Sequence, residues 1–174
     1  TRAIAKMFYI DVLSAFCYDE NTKEEHLYIL NNYLIQLEYE KEEQEENAPM
    51  GFQTEDKQID ALKARIFALK KNYNKAIQLL EKHRDKSSSD FDLIQLARYY
   101  QEIEEYKKGE EIFNLIITKP NIYSYNRATT NYYAALLYHK WGKQEKAQEH
   151  LKFSLEIWKN ADDDYVFGNM AKST

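Results

Sequence analysis

The sequence holds a single cysteine, Cys17, so it can close no internal disulfide and build no all-thiolate metal centre. Two prolines and four glycines in 174 residues are too few turn formers for a many-stranded fold. No apolar run approaches the roughly 18 residues of a membrane span, and no Asn-x-Ser/Thr acceptor occurs. An excess of positive charge is also missing. The net charge is −5, which withholds the basic footprint that supplies most nonspecific nucleic-acid affinity. Neither a nucleic-acid nor a membrane partner is expected, and the expected location is cytoplasmic.

Catalytic motifs are missing too. There is no HExxH, no GxSxG and no phosphate-cradling glycine loop. None of His26, His83, His139 and His150 follows a carboxylate by three residues, as paired di-iron helices require. Asp162-Asp163-Asp164 lacks the glycine and the closing glutamate of a calcium loop and reads as a helix-start cluster. Cys17 sits in an apolar run and reads as core packing. No enzyme, metal or cofactor is expected.

What remains is rich in helix formers and in rings. Lys, Glu, Leu, Ala and Gln fill the runs between breaks, and 15 of the aromatic residues are tyrosines. Tyrosine suits helix seams, where the ring packs inside and the hydroxyl reaches water. The fold class is therefore all-α. Charge is uneven: residues 19 to 60 carry 13 acidic and 3 basic side chains, residues 61 to 174 carry 15 and 19.

In chain order, residues 1–46 read as an N-terminal helical pair. Ile4, Met7, Phe8, Ile10, Val12, Leu13 and Phe16 are too dense for a one-faced surface helix. Thr22 and Glu25 have the form of a capping box for a second helix, whose stripe is Leu27, Leu30, Leu34 and Leu37 with Ile29 and Tyr33. Glu38 to Glu46 has no apolar face beyond Tyr39 and is expected to fray into water. Residues 47–56 form a linker, with Met50 and Phe52 expected to fold back on the core. Helical hairpins follow at 57–89, 90–127 and 128–160, with Ser89 or Asp90 capping the second and Pro120 ending it. Ile122 to Arg127 reads as extra sequence, and 161–174 as a capping helix or tail packed on Ser154.

The hairpins share a spacing. Ala64, Phe67, Ala76 and Leu80 are matched by Ala97, Tyr100, Gly109 and Phe113, and by Ala135, Tyr138, Ala147 and Leu151. Such self-similarity at about 34 residues marks a helical solenoid, because one hairpin cannot bury its apolar face alone. These residues resemble the tetratricopeptide repeat, with small side chains at the close contacts and Tyr or Phe beside them. The middle unit, with Leu93, Leu96, Ala97, Tyr100, Gly109 and Phe113, is most similar to the family. Asp60 and Lys63 stand where apolar residues are usual, and His83 and Ile116 where small ones are. Residues 1–46 carry Tyr9, Val12, Leu13 and Phe16 at repeat spacing, but Glu25 and Asn32 in the small positions.

The resemblance implies a right-handed solenoid whose first helices line a concave groove that takes protein or peptide ligands. Carried over position by position, the groove face is Ala61 and Arg65, then Phe91, Ile94 and Arg98, then Tyr132, Leu136 and His139. The chaperone-tail clamp of part of the family needs Lys and Asn where Ala61, Gln95, Thr129 and Tyr133 stand, so that ligand is not implied. The function expected is non-catalytic protein binding. The alternative is the regulatory or peptide-sensing part of a larger signalling or transcription-control protein. Exposed end repeats imply a capacity to form homo-oligomers.

Overall fold

The structure, a computed structural model, describes residues 23–47, 56–84, 89–120 and 124–159, and every regular element in them is an α-helix. In chain order these are α1 (Lys23–Asn47), α2 (Asp56–Leu69), α3 (Tyr73–Glu81), α4 (Asp90–Glu102), α5 (Tyr106–Ile117), α6 (Ser124–Lys140) and α7 (Gln144–Trp158). No described helix is long and apolar enough to cross a membrane. The chain divides into two units, Thr1–Asp85 and Lys86–Thr174. The expectations for residues 1–22, for Met50 and Phe52, and for 161–174 lie outside the described residues.

In the first unit α1 packs on α2, and α2 forms a hairpin with α3. Leu27, Leu30 and Leu37 of α1 meet Ile59, Leu62 and Ile66 of α2, with Tyr33, Leu34 and Leu69 at the margin. Because α1 lies directly against α2, the linker between them joins two parts of one core. The helix also outlasts its apolar stripe, running on from Leu37 to Asn47, with Glu42 and Glu43 on that stretch exposed to water. Local side-chain bonds one turn apart help to hold that end, Gln36 donating to Glu40 at 2.7 Å and Tyr39 to Glu43 at 2.6 Å. Two ion pairs tie it to α2, Lys41 to Asp56 at 2.6 Å and Lys63 to Glu38 at 2.7 Å.

In the second unit α4 pairs with α5 and α6 with α7, while α5 and α4 both touch α6. Ser89 caps α4, its Oγ accepting from the Asp92 amide at 3.1 Å. Asp90 then ties the starts of two helices together, since its carboxylate accepts from Lys119 at 2.6 Å and from Asn126 at 3.1 Å. Ser124 to Arg127, part of the stretch read as extra sequence, is helical and forms the first turn of α6. Ser154 is fully buried and donates to the Ala128 carbonyl at 2.9 Å, so its small size serves the closure of its own hairpin.

One turn recurs three times. Lys71, Glu104 and Gly142 are the described residues with positive φ, at 59°, 61° and 78°. At each, the amide of that residue reaches the carbonyl three residues back, and the next amide reaches five residues back: Asn72 to Phe67, Glu105 to Tyr100 and Lys143 to Tyr138, all at 2.9 Å. This is the Schellman arrangement, which satisfies carbonyls left over at a helix end. Only Gly142 is free of the left-handed penalty of about 1–2 kcal/mol. Glu104→Gly should therefore raise stability by about 1 kcal/mol and Gly142→Ala lower it by about 1 kcal/mol. Since a Cβ at 142 would meet nothing within 4 Å, urea denaturation of that variant reads the backbone alone.

Candidate functional site

The face expected to bind a partner is carried in the second unit by α4 and α6, the first helices of two packed hairpins. Residues Leu93 to Gln101 of α4 are all buried, an unbroken run of more than two helical turns, while Phe91 and Asp92 before it are half-buried. Ile94 (4% exposed), Arg98 (9%) and Tyr132 (3%) therefore lie within, while Phe91 and Leu136 are half-buried and His139 is exposed. Arg65 holds the corresponding place on α2 of the first unit and is half-buried. Arg98 is stabilised by its surroundings: the guanidinium carbon stands 4.3 Å from the centre of the Tyr133 ring, and Nη1 donates to the side-chain amide oxygen (Oε1) of Gln95 at 3.3 Å. Its contacts with α6 make it a link between the two first helices.

Behind this face the hairpins are locked by a polar and aromatic network that spacing did not reveal. Tyr138 of α6 donates to Glu110 of α5 at 2.7 Å, and Lys146 of α7 reaches the same oxygen at 3.0 Å. A row of near-parallel rings runs through it: Tyr106 to Trp141 at 5.7 Å, Trp141 to Tyr138 at 6.2 Å, and Tyr138 to His150 at 5.1 Å. Lys143 stands 3.1 Å from the centre of the Trp141 ring. At the other end Asn131 donates to the Arg127 carbonyl, leaving its oxygen to accept from His150 Nδ1 at 2.7 Å. Burial lowers the His150 pKa, which favours the neutral ring in that bond.

The same network fixes charge states at both ends of the pH scale. Burial, and then the Glu110 carboxylate, push Tyr138 up to about 12. The Tyr138 hydroxyl, with Lys146 assisting, holds Glu110 below the usual carboxylate range. For Tyr138 the folded pKa exceeds the unfolded one, so its contribution is complete below about pH 10 and lost as pH rises through about 12. Tyr138→Phe should flatten the fall in stability between those limits, measured by denaturant titration at each pH. It should also cost about 1 kcal/mol at neutral pH through the lost hydrogen bond.

In the first unit a cleft of about 770 Å³ is lined by Glu38, Lys41, Asp56, Asp60, Lys63 and His83 among others. Most of its charged side chains are paired across it, with Glu42 at its exposed margin. Besides the α1 to α2 pairs, His83 Nε2 lies 2.9 Å and Lys82 Nζ 3.3 Å from the same oxygen of Asp60. Asp60 and His83 each depart from the repeat pattern, and the structure shows them to be partners. Lys63, a third departure, is the one that holds Glu38. Among the described residues no group of three or more His, Cys, Asp or Glu side chains is placed to hold a metal ion.

No protein-family model matches the chain, and no curated protein matches it.

Proposed function

We propose that this is a non-catalytic protein-interaction module, a right-handed solenoid of tetratricopeptide-like hairpins that holds a peptide or a partner domain along its first helices. The observation that carries the reading is the repeated turn at Lys71, Glu104 and Gly142, with its two backbone bonds, set between small residues that are all buried. Ala64 and Ala76, Ala97 and Gly109, and Ala135 and Ala147 are the small pairs of the three hairpins. A Cβ on Gly109 would lie 3.1 Å from the Ala97 carbonyl oxygen of its own hairpin and 2.4 Å from a Leu137 methyl of the next. That double contact is what stacking of successive repeats needs.

In this reading recognition falls on Phe91, Leu136 and His139, with Ile94, Arg98 and Tyr132 beneath them fixing the shape of the surface. Partners are proteins or peptides. The test is affinity purification from the source cells with the wild type and with the double variant Leu136→Glu and His139→Glu, after both show the same circular dichroism. A partner captured by the wild type and bound at least about tenfold more weakly by the variant supports the assignment, a loss of about 1.4 kcal/mol. Equal binding to both proteins would remove it.

A further inference from the structure

The described helix that departs most from a one-faced pattern is α1, and the departure is ordered. Its core side is Leu27, Leu30 and Leu37. On the opposite side Tyr28, Ile35 and Tyr39 are 70%, 64% and 59% exposed. With the exposed Asn32 they follow a four, three, four spacing, which keeps all of them on one stripe of a helix. A stripe of that length is about 18 Å, roughly three helical turns. Two large rings and an isoleucine held in water on one line form a patch of the kind that marks an interaction surface.

Charge on α1 is sorted in the same way. The helix carries eight acidic and two basic residues. Glu24 and Glu25 stand at one end of the stripe and Glu42 and Glu43 at the other, all exposed. Both lysines, Lys23 and Lys41, fall by the helical period on the core side, where Lys41 is engaged by Asp56. The outward face is therefore apolar along its middle and negative at its ends. Two copies of it would meet acid to acid whether paired parallel or antiparallel, since the glutamates sit at both ends.

We propose that the outer face of α1 docks a basic amphipathic helix of another protein, one with an apolar seam at three and four residue spacing flanked by Lys or Arg. The seam covers Tyr28, Ile35 and Tyr39, while the flanking cations meet Glu24, Glu25, Glu42 and Glu43. Asn32, a polar residue in the seam, fixes register, the role a lone seam asparagine has in paired helices. This surface is distinct from the one assigned to α4 and α6.

The experiment uses the full chain and a fluorescein-labelled synthetic helix of about three heptads, with Leu at the seam positions and Lys at the flanks. Two control peptides accompany it, one with the same residues scrambled off a single face and one with Glu in place of Lys. Anisotropy should show binding of the Lys-flanked helix that weakens with salt, and at least about tenfold weaker binding of both controls. Ile35→Ser and Tyr39→Ser should each weaken it by a comparable factor, and Ile35→Ser should do so with an unchanged unfolding midpoint, since its side chain lies in water. Leu136→Glu with His139→Glu should leave it unchanged, which separates this surface from the groove. No binding, equal binding of the scrambled peptide, or indifference to Ile35→Ser would overturn the proposal. So would a concentration-dependent dimer in sedimentation that Ile35→Ser abolishes, because a second copy would then be the occupant. Should Ile35→Ser shift the midpoint, Tyr28→Ser serves in its place with the same criteria.

Discussion

Gly109→Val should destabilise the second unit by about 3 kcal/mol or more, at the upper end of what overpacking costs. A Cβ at this position would lie 2.4 Å from the Leu137 methyl and 3.1 Å from the Ala97 carbonyl oxygen. Ordinary carbon contacts are about 3.5–4.0 Å, so both neighbours must give. Neither can do so easily. Leu137 is fully buried and has no solvent to swing into, and the Ala97 oxygen belongs to the backbone of α4 within its buried run from Leu93 to Gln101. The gain in helix propensity over glycine, a few tenths of a kcal/mol for valine, is too small to offset this. Gly109→Ala is the gentler probe, adding only the Cβ. Combined with Leu137→Ala it should cost less than the two single changes together, with a coupling on the order of 1–3 kcal/mol. Denaturant unfolding of the four proteins of that cycle gives the number; strict additivity would mean that α5 and α6 do not meet at these atoms.

Leu30→Ala should cost about 2–5 kcal/mol, while Ile35→Ala, five residues along the same helix, should stay within about 0.5 kcal/mol of the wild type. The two side chains are alike in size and differ in what surrounds them. Leu30 is 1% exposed among Leu27, Leu37, Ile59, Leu62 and Ile66, and shortening it opens a cavity in that cluster. Ile35 is 64% exposed and shortening it opens nothing. Thermal or urea unfolding of both variants measures the difference. Equal losses would mean that the outer stripe is covered within the isolated chain.

Much of the second unit could be read from spacing alone. Ser89 is a cap that its residue type announces, and the small residues Ala97, Gly109, Ala135 and Ala147 are all buried, with room for no more than glycine shown at Gly109. Residues such as these announce themselves because a local rule, capping or close approach, dictates their chemistry. Each expected hairpin implies a turn, but the identical geometry of the three turns is not legible, because Lys71 and Glu104 occupy a left-handed conformation that their side chains do not favour. The ties at the end of α1 are hidden for a related reason. Its acidic run lacks an apolar face, and what anchors it is Asp56 and Lys63 on α2, partners that no local window contains.

The face of α4 shows the limit most clearly. Periodicity places Ile94 and Arg98 on one side of a helix but says nothing of what covers that side, and both are buried. The ring row from Tyr106 to His150 was hidden similarly, since it draws on three helices. Tyrosine abundance pointed to seams without saying which tyrosines would share one.

The bond between Asp60 and His83 has a bearing on descent. Each stands where the repeat ordinarily carries something else, and each is tolerable because the other is 2.9 Å away. Replacing the aspartate with an apolar residue would remove the acceptor that lies 2.9 Å from His83 Nε2, and shrinking the histidine would remove one of the two groups held at that oxygen. Under the proposed repeat reading, related sequences should keep both residues or neither.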